Sequence, residues 1–300
     1  SKTARQFTVQ LIKIDNKKAE VKDGKSARLI VTQLKAAKYT VFEVTKREVR
    51  KNPYPPYTTS TMTQAGARIF GWSAKKTMMI AQRLYEEGLI TYHRTDSTNI
   101  ALSALERVRE FIKKEYGDSY LPEGPRFYKV KSKVAQEAHE AVRPTDMSAK
   151  TPKLQNSKFE NDATKLYELI WKRFVACQMS ASVYDETTID VEATRRHPER
   201  AKRVEGSFQY LLHASGQIMK FDGWRKVIPA KQDTEEKVVQ LPEVQKDESL
   251  QLIKVNSEQK FTEPPPRYNE ASLIKTLEKL GIGRPSTYAP TISTIQIRQY

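Results

Sequence analysis

The 300-residue chain carries 52 Lys and Arg residues against 36 Asp and Glu, a formal net charge of +16 that makes nucleic acid the first candidate partner. Its single cysteine, Cys177, excludes an internal disulfide framework and a multi-cysteine zinc site. Because the sequence has no run of about 18 apolar residues and no signal-like N-terminus, we expect no membrane segment and a cytoplasmic location.

Two proline-rich stretches, at 52–56 and 263–267, are too poor in backbone donors to continue a helix or a central strand, and they predict domain boundaries. Before the first stretch, two runs rich in β-branched and aromatic residues flank a helical run. From about 58 to 180 the pattern is mainly helical, and strand-like runs return at 181–255.

These patterns predict an α+β multidomain protein in which a strand-rich gate domain is built from two separate parts of the chain. A mainly α-helical domain is inserted between those parts, and Ser215-Gly216 is a predicted hairpin turn in the second part. The predicted boundaries are 1–55 and 180–255 for the strand-rich domain, 56–179 for the insert, and 256–300 for a partial helical domain.

The start of the insert has the pattern of a helix-turn-helix. A capping box that begins at Thr61 predicts a helix over 61–70, and Ser73 can cap a second helix that stops at Gly88. The apolar run at 89–94 predicts a short strand. Helix, tight turn, helix and strand together are the plan of a winged-helix module.

Later in the insert, 161–179 repeats apolar residues at helical spacing and predicts a helix that faces the core. The apolar positions are Ala163, Leu166, Ile170, Phe174 and Cys177. We expect Cys177 to be a buried packing residue, because no cationic neighbour is evident that would lower the pKa of its thiol.

The predicted strand at 89–94 ends in three titratable side chains, those of Tyr92, His93 and Arg94. Strand alternation would put Tyr92 and Arg94 on one face and turn His93 to the other, as a surface residue. A free tyrosine is a poor nucleophile near neutrality because its pKa is about 10. A neighbouring arginine favours the phenolate and binds a phosphate oxygen, as phosphoryl transfer to a tyrosine requires. The alternative is that Tyr92 packs and Arg94 pairs with Asp96 at the surface.

A second cluster, QEAHEAVRPTD, occupies 136–146. A helical turn would set His139 and Arg143 four residues apart on one side, where they could orient and neutralise a phosphate. The alternative is that they cap the element or pair with Glu140 or Asp146.

A third cluster, GIGRPST, occupies 281–287. One helix is predicted to end at Gly281, and the segment 283–287 is predicted to open another, so that backbone donors, hydroxyls and Arg284 meet at a helix N-terminus, which is an anion-binding geometry. Farther along the second helix, Arg298 could add a contact to a backbone phosphate. The alternative is a simple helix-helix connection.

The stretch AQRLYEEGLITYHRTDS closely resembles the active-site signature of the type IA DNA topoisomerases. PPYTTSTMTQ, QEAHEAVRPTD and GIGRPSTYA resemble the bacterial topoisomerase I branch of that family. The resemblance extends from about residue 37 to the C-terminus.

The resemblance implies roles for the matching residues. Tyr92 matches the nucleophile that holds a cut strand as a 5′-phosphotyrosine, Arg94 matches an arginine that contacts the scissile phosphate, and His139 matches a histidine that helps position DNA. The other predicted DNA-binding residues are Arg143, Arg284, Thr287 and Arg298. The neighbours of Arg298 differ from the family pattern, because Ile297 and Gln299 flank it where the family commonly has Asp and Gly.

The resemblance further implies Mg²⁺, held by an acidic Toprim domain with an Asp-x-Asp-x-Glu motif; no Asp-x-Asp occurs in this sequence. Since the first residue is Ser1, we expect a central fragment of a monomeric parent protein that binds single-stranded DNA and relaxes negatively supercoiled DNA by strand passage. The fragment alone is expected to bind DNA but not to relax it. The competing interpretation is a non-catalytic winged-helix DNA-binding module with Tyr92 in its wing.

Overall fold

The computed structural model describes residues 6–129, 139–147, 160–195, 208–229 and 240–300. The chain divides into two compact units, each considered by itself. The sheet unit comprises Ser1–Arg50, Val183–Phe221 and Lys231–Pro264, and the helical unit comprises Lys51–Ser182, Asp222–Ala230 and Pro265–Tyr300. The three-domain division expected from the sequence stays a prediction.

A six-stranded sheet dominates the first unit, with the strand order β2-β1-β5-β4-β3-β6 and antiparallel pairing. Its strands are β1 (Gln10–Ile14), β2 (Lys17–Lys18), β3 (Lys38–Lys51), β4 (Ser182–Arg195), β5 (Phe208–Phe221) and β6 (Ser249–Leu250). Residues 208, 210, 212 and 214 alternate with less buried neighbours, so one face of β5 forms the core. Helix α1 (Gly24–Lys35) contributes Leu34 to that core.

The predicted hairpin turn at Ser215-Gly216 is wrong. Both residues lie inside β5, where Ser215 is opposite Thr188 and Gly216 is opposite Thr187 of β4. Because β4 supplies a partner along nearly the whole of β5, this pair of small residues continues the ladder instead of reversing the chain.

Helices form most of the second unit. Among the described residues they are α2 (Thr59–Phe70), α3 (Ala74–Glu86), α4 (Leu102–Tyr116), α5 (Glu160–Cys177), α6 (Glu270–Leu280) and α7 (Tyr288–Ile297). The predicted core-facing side of α5 is confirmed, since all five of its apolar positions are at most 1% exposed. Burial raises the pKa of the Cys177 thiol to about 12, which fits a packing residue and not a nucleophile.

Local capping residues define the end of α2, the start of α3 and the turn between them. Helix α2 begins two residues earlier than predicted, because Thr58 is its N-cap and exchanges capping-box hydrogen bonds with Thr61. Gly71 ends α2 in the left-handed conformation, and Ser73 caps α3 as predicted.

The predicted strand at 89–94 is not formed as a regular strand. Ile90 makes an isolated antiparallel bridge with Pro144, and the residues after it lie in a loop. A proline has no amide hydrogen to donate, so it cannot extend a ladder on both sides. The two predicted helices and the turn between them are present as α2 and α3, whereas the winged-helix assignment stays a prediction.

A glycine at the turn after β5 is required by sterics. Gly223 has a φ of +51°, and a Cβ at this position would lie 2.5 Å from the carbonyl oxygen of Ala181. We expect Gly223→Ala to destabilise the protein by about 3 kcal/mol, because backbone strain and overlap add. Urea unfolding followed by circular dichroism measures this, with Gly124→Ala as the matched control because a Cβ there meets nothing within 4 Å. Equal midpoints for the two variants would contradict the expectation.

Candidate active site

The loop that carries Tyr92 is held by the first residue of α2. The Thr59 hydroxyl donates to the His93 carbonyl oxygen at 2.7 Å and accepts from the Thr95 amide at 2.8 Å. The Thr59 amide also donates to the Thr95 carbonyl oxygen at 2.9 Å. One buried threonine therefore fixes the backbone on both sides of Arg94. Sequence reasoning missed Thr59, and the only signal was the hydroxyl-rich run TTST at 58–61, where α2 begins.

The other side of the loop lies against the second predicted cluster. The Thr91 amide donates to the Arg143 carbonyl oxygen at 2.9 Å, and the Arg143 amide donates to the Thr91 hydroxyl at 2.9 Å. The helical turn predicted for this cluster is wrong over the described residues 139–147, which are extended and bridge Tyr57 and Ile90; 136–138 lie outside the described residues. Pairing with the Tyr92 loop satisfies the backbone groups that a helix would have used.

Three rings surround Tyr92. Its centroid lies 5.3 Å from that of Tyr85, 5.4 Å from that of His93 and 6.2 Å from that of His139. Tyr92 itself is 41% exposed, so solvent reaches part of the side chain. The structure thus brings together Tyr92 and His139, which are 47 positions apart in the sequence.

His93 is where the sequence prediction fails most clearly. Expected at the surface, it is 0% exposed, and neither ring nitrogen has a hydrogen-bond partner within the described part of the chain. Because the segment is not a strand, alternation does not decide where the ring goes. Burial, and then the positive charge of Arg94, lower the pKa of His93 to about 4, which keeps the ring neutral near pH 7.

The two arginines of the predicted site differ in their contacts. Arg94 is exposed, and within the described ranges its guanidinium has no hydrogen bond or ion pair, so the alternative pairing with Asp96 is not observed. Arg143 is instead held in a two-contact pair with Glu140, with Nη2 to Oε2 at 2.8 Å and Nε to Oε1 at 3.2 Å. The Arg143 guanidinium is therefore occupied by Glu140, whereas the Arg94 guanidinium is available to bind an anion.

The GIGRPST segment forms a tight turn between α6 and α7. Gly281 is left-handed, and Gly283 has a φ of +81° with the Thr287 hydroxyl close to where a Cβ would be. The Thr287 hydroxyl accepts from the Arg284 amide at 2.7 Å and so braces the turn; it does not cap α7. The Arg284 side chain is exposed, and Arg298 is exposed at the other end of α7.

Helix α6 attaches this turn to the helices that carry the Tyr92 loop. A Glu278 carboxylate oxygen accepts from the Ser60 hydroxyl at 2.7 Å, and a Glu270 carboxylate oxygen accepts from the Ala74 amide at 2.6 Å. Both acceptors meet the first turn of a helix, where negative charge is favourable. Burial raises the pKa of Tyr288, and the charges of Glu278 and Asp96 raise it further.

Among the described residues, no group of three His, Cys, Asp or Glu side chains is placed to hold a metal ion. No helix in the described part of the chain is long and apolar enough to cross a membrane.

The buried His93 predicts how stability depends on pH. Its folded-state pKa of about 4 lies below the ordinary 6.5, so the stability it contributes is present above pH 6.5 and is lost as the pH falls toward 4. The loss should reach about 3 kcal/mol. We expect His93→Met, which cannot titrate, to flatten this part of the unfolding free energy measured in urea; parallel curves for the two proteins would contradict the assignment.

Known proteins that match this chain are DNA topoisomerases. The DNA topoisomerase family model matches residues 2–300, which extends well before the expected start near residue 37. DNA topoisomerase 1 of Pasteurella multocida is 48% identical over 284 residues, 95% of this chain and 31% of that protein. The corresponding enzyme of Escherichia coli K12 is 46% identical over 270 residues, 90% of this chain and 29% of that protein.

A solved structure gives the same result. Full-length topoisomerase I from Thermotoga maritima matches with a TM-score of 0.73 at 36% identity, covering 96% of this chain and 45% of that one. The chain spans about a third of the length of the curated relatives it matches. On its nearly complete match to the family model, the chain belongs to the DNA topoisomerase family.

Proposed function

We propose that this chain is the tyrosine-bearing part of a type IA DNA topoisomerase. The parent protein cuts one DNA strand through a 5′-phosphotyrosine at Tyr92, passes the other strand and reseals the break, thereby relaxing negatively supercoiled DNA. The observation that carries the proposal is an exposed Tyr92 two residues from an exposed Arg94 that has no ion-pair partner among the described residues, with the His139 ring beside the tyrosine.

The proposed chemistry is the transfer of a phosphoryl group from the DNA backbone to the Tyr92 oxygen. The Tyr92 oxygen attacks the phosphorus, the phenolic proton is lost, and the bond from phosphorus to the 3′-oxygen breaks. The leaving oxygen takes up a proton to give a 3′-hydroxyl, and resealing is the reverse of these steps. Arg94 has a guanidinium free to bind a non-bridging phosphate oxygen, where it would stabilise the charge that builds up during attack.

The other candidates are assigned from their contacts. His139 and Arg284 are partly or fully exposed and are proposed to contact DNA, together with Arg298. Because Thr287 braces the Arg284 turn and Arg143 is paired with Glu140, we propose that these two act mainly by holding DNA-contacting neighbours in place. The net charge of +16 supplies a general attraction to the phosphate backbone.

Mg²⁺ does not fit the described residues, since they offer no group of acidic or imidazole side chains that could hold it. We therefore propose that any Mg²⁺ belongs to a Toprim domain elsewhere in the parent protein. A metal would supply charge neutralisation at the phosphate.

The wider expectations are part of the same proposal. The parent protein would act as a cytoplasmic monomer, with a winged-helix-like insert and a mobile gate that opens as the segments near 52–56 and 178–183 flex. Single-stranded DNA would be the segment bound at Tyr92.

A relaxation assay tests the proposal. We expect the full-length protein with Mg²⁺ to relax negatively supercoiled plasmid, and the 300-residue chain to bind a single-stranded oligonucleotide without relaxing plasmid. Relaxation by the 300 residues alone would contradict their proposed role as a part of the machinery. DNA binding by the full-length protein with no cleavage would instead support a non-catalytic DNA-binding module.

A further inference from the structure

The unusual residue next to the proposed nucleophile is His93. A histidine beside a reactive tyrosine invites the role of proton acceptor, which requires a ring nitrogen within hydrogen-bond reach of the proton it removes. His93 has 0% exposure, and neither of its nitrogens has a partner within the described ranges. A buried, unpaired imidazole costs free energy, so packing alone would favour an apolar side chain here.

The ring of His93 nevertheless has well-defined neighbours. It meets the Tyr92 ring at 5.4 Å and 69°, edge to face, and the Tyr85 ring at 5.9 Å. Tyr85 in turn meets Tyr92 at 5.3 Å and 67°, so the three rings contact one another in pairs. Edge-to-face contacts of this kind set the angle between rings.

The backbone of His93 is fixed independently of its ring. Its carbonyl oxygen accepts the Thr59 hydroxyl at 2.7 Å, which ties the residue to the start of α2. Tyr85 lies on the last turn of α3. The ring under Tyr92 is thus anchored to two helices, while Tyr92 itself remains partly exposed.

Charges around the ring keep it neutral. The charged and titratable groups that influence or contact it are Arg94 on its own loop, Glu86 and Tyr85 on α3, and Tyr92, with His139 beyond the Tyr92 ring. Burial outweighs the attraction of Glu86, and the positive charge of Arg94 acts in the same direction as burial. A second positive charge is therefore kept away from Arg94 at the proposed phosphate site.

We propose that His93 is a positioning residue whose buried, uncharged ring sets the orientation of the Tyr92 ring, and that it exchanges no proton during DNA cleavage. This inference rests on the proposed function of Tyr92. The histidine next to the nucleophile would therefore act by packing against the Tyr92 ring, and not as an acid or a base.

Two substitutions separate these roles. Met has nearly the volume of His, cannot titrate and makes favourable contacts with aromatic rings, so His93→Met should keep the support under Tyr92. His93→Ala removes that support. In the full-length protein we expect the single-turnover rate of covalent adduct formation to stay within about threefold for Met and to fall about tenfold to a hundredfold for Ala.

The readouts separate positioning from folding and from proton transfer. The dissociation constant for the oligonucleotide, measured by fluorescence anisotropy, should be unchanged in both variants, which also shows that they are folded. The rates of wild type and His93→Met should follow the same pH profile between 5.5 and 8. If the Ala variant does not fold, a His93→Gln variant is used instead, and the flip rate of a ¹³C-labelled Tyr92 ring is measured in it by NMR. This flip rate should exceed that of the wild-type protein.

Three results would overturn the inference. A Met variant as slow as the Ala variant would mean that an imidazole nitrogen takes part, and an Ala variant as fast as wild type would mean that the ring positions nothing. A wild-type Tyr92 flip rate equal to that of His93→Gln would exclude the positioning role directly. If wild-type protein forms no adduct at any pH, the proposed function itself fails, which is a distinguishable outcome.

Discussion

Replacing Tyr92 by phenylalanine is expected to abolish the covalent DNA adduct of the full-length protein while leaving its affinity for single-stranded DNA unchanged. The substitution removes only the oxygen that would form the bond to phosphorus, and the ring contacts with Tyr85, His93 and His139 do not depend on that oxygen. Loss of a nucleophile typically lowers a rate by about 10⁶-fold. The measurement is gel detection of protein linked to a labelled oligonucleotide.

Tyr85→Phe is the matched control for that experiment. Tyr85 is 40% exposed, compared with 41% for Tyr92, and the two rings are in contact. We expect Tyr85→Phe to keep adduct formation, because the Tyr85 hydroxyl takes no part in the proposed attack on phosphorus. An adduct that survives in the Tyr92 variant and disappears in the Tyr85 variant would show that Tyr85, and not Tyr92, is the nucleophile.

The second large effect is expected at Arg94. Arg94→Ala should lower the rate of adduct formation by about 10²-fold to 10³-fold, the range for removing one charge-stabilising group from a transition state. Affinity for DNA should change only severalfold, because one phosphate contact among many is lost. Arg94→Lys should recover part of the rate, since an ammonium keeps the charge but cannot bind a phosphate through two donors.

Arg107→Ala controls for the lost charge. Arg107 is exposed on α4 of the same unit and, in the portion of the chain that the structure covers, has no hydrogen bond or ion pair. Its removal should weaken DNA binding slightly and leave the cleavage rate unchanged. Equal effects of the two alanine variants on cleavage would show that Arg94 acts only through net charge.

Sequence patterns predicted the elements of this fold where a single periodicity dominated. The apolar spacing of α5 and the Ser73 cap of α3 are confirmed because each depends on local chemistry. The Ser215-Gly216 turn failed because a long neighbouring strand decided the pairing. Tertiary contacts outweighed local propensity there.

At the candidate site the residue types were predictable, but their surroundings were not. Tyr92 and Arg94 stand out by their chemistry, yet the clamp made by Thr59 depends on a contact across 34 positions. His93 was misplaced because a loop, and not a strand, carries it. Arg143 was expected to be available for DNA, but its partner Glu140 was only one of the possible acceptors in the sequence.

Mapping the modified residue tests the central claim most directly. After cleavage of an oligonucleotide by the full-length protein, nuclease and trypsin digestion should leave a nucleotide on the peptide 84–94, which contains both Tyr85 and Tyr92. Fragmentation in the mass spectrometer then locates the phosphodiester. We predict a 5′-phosphate linked to Tyr92; a nucleotide on Tyr85, on any other residue, or on none would contradict the account.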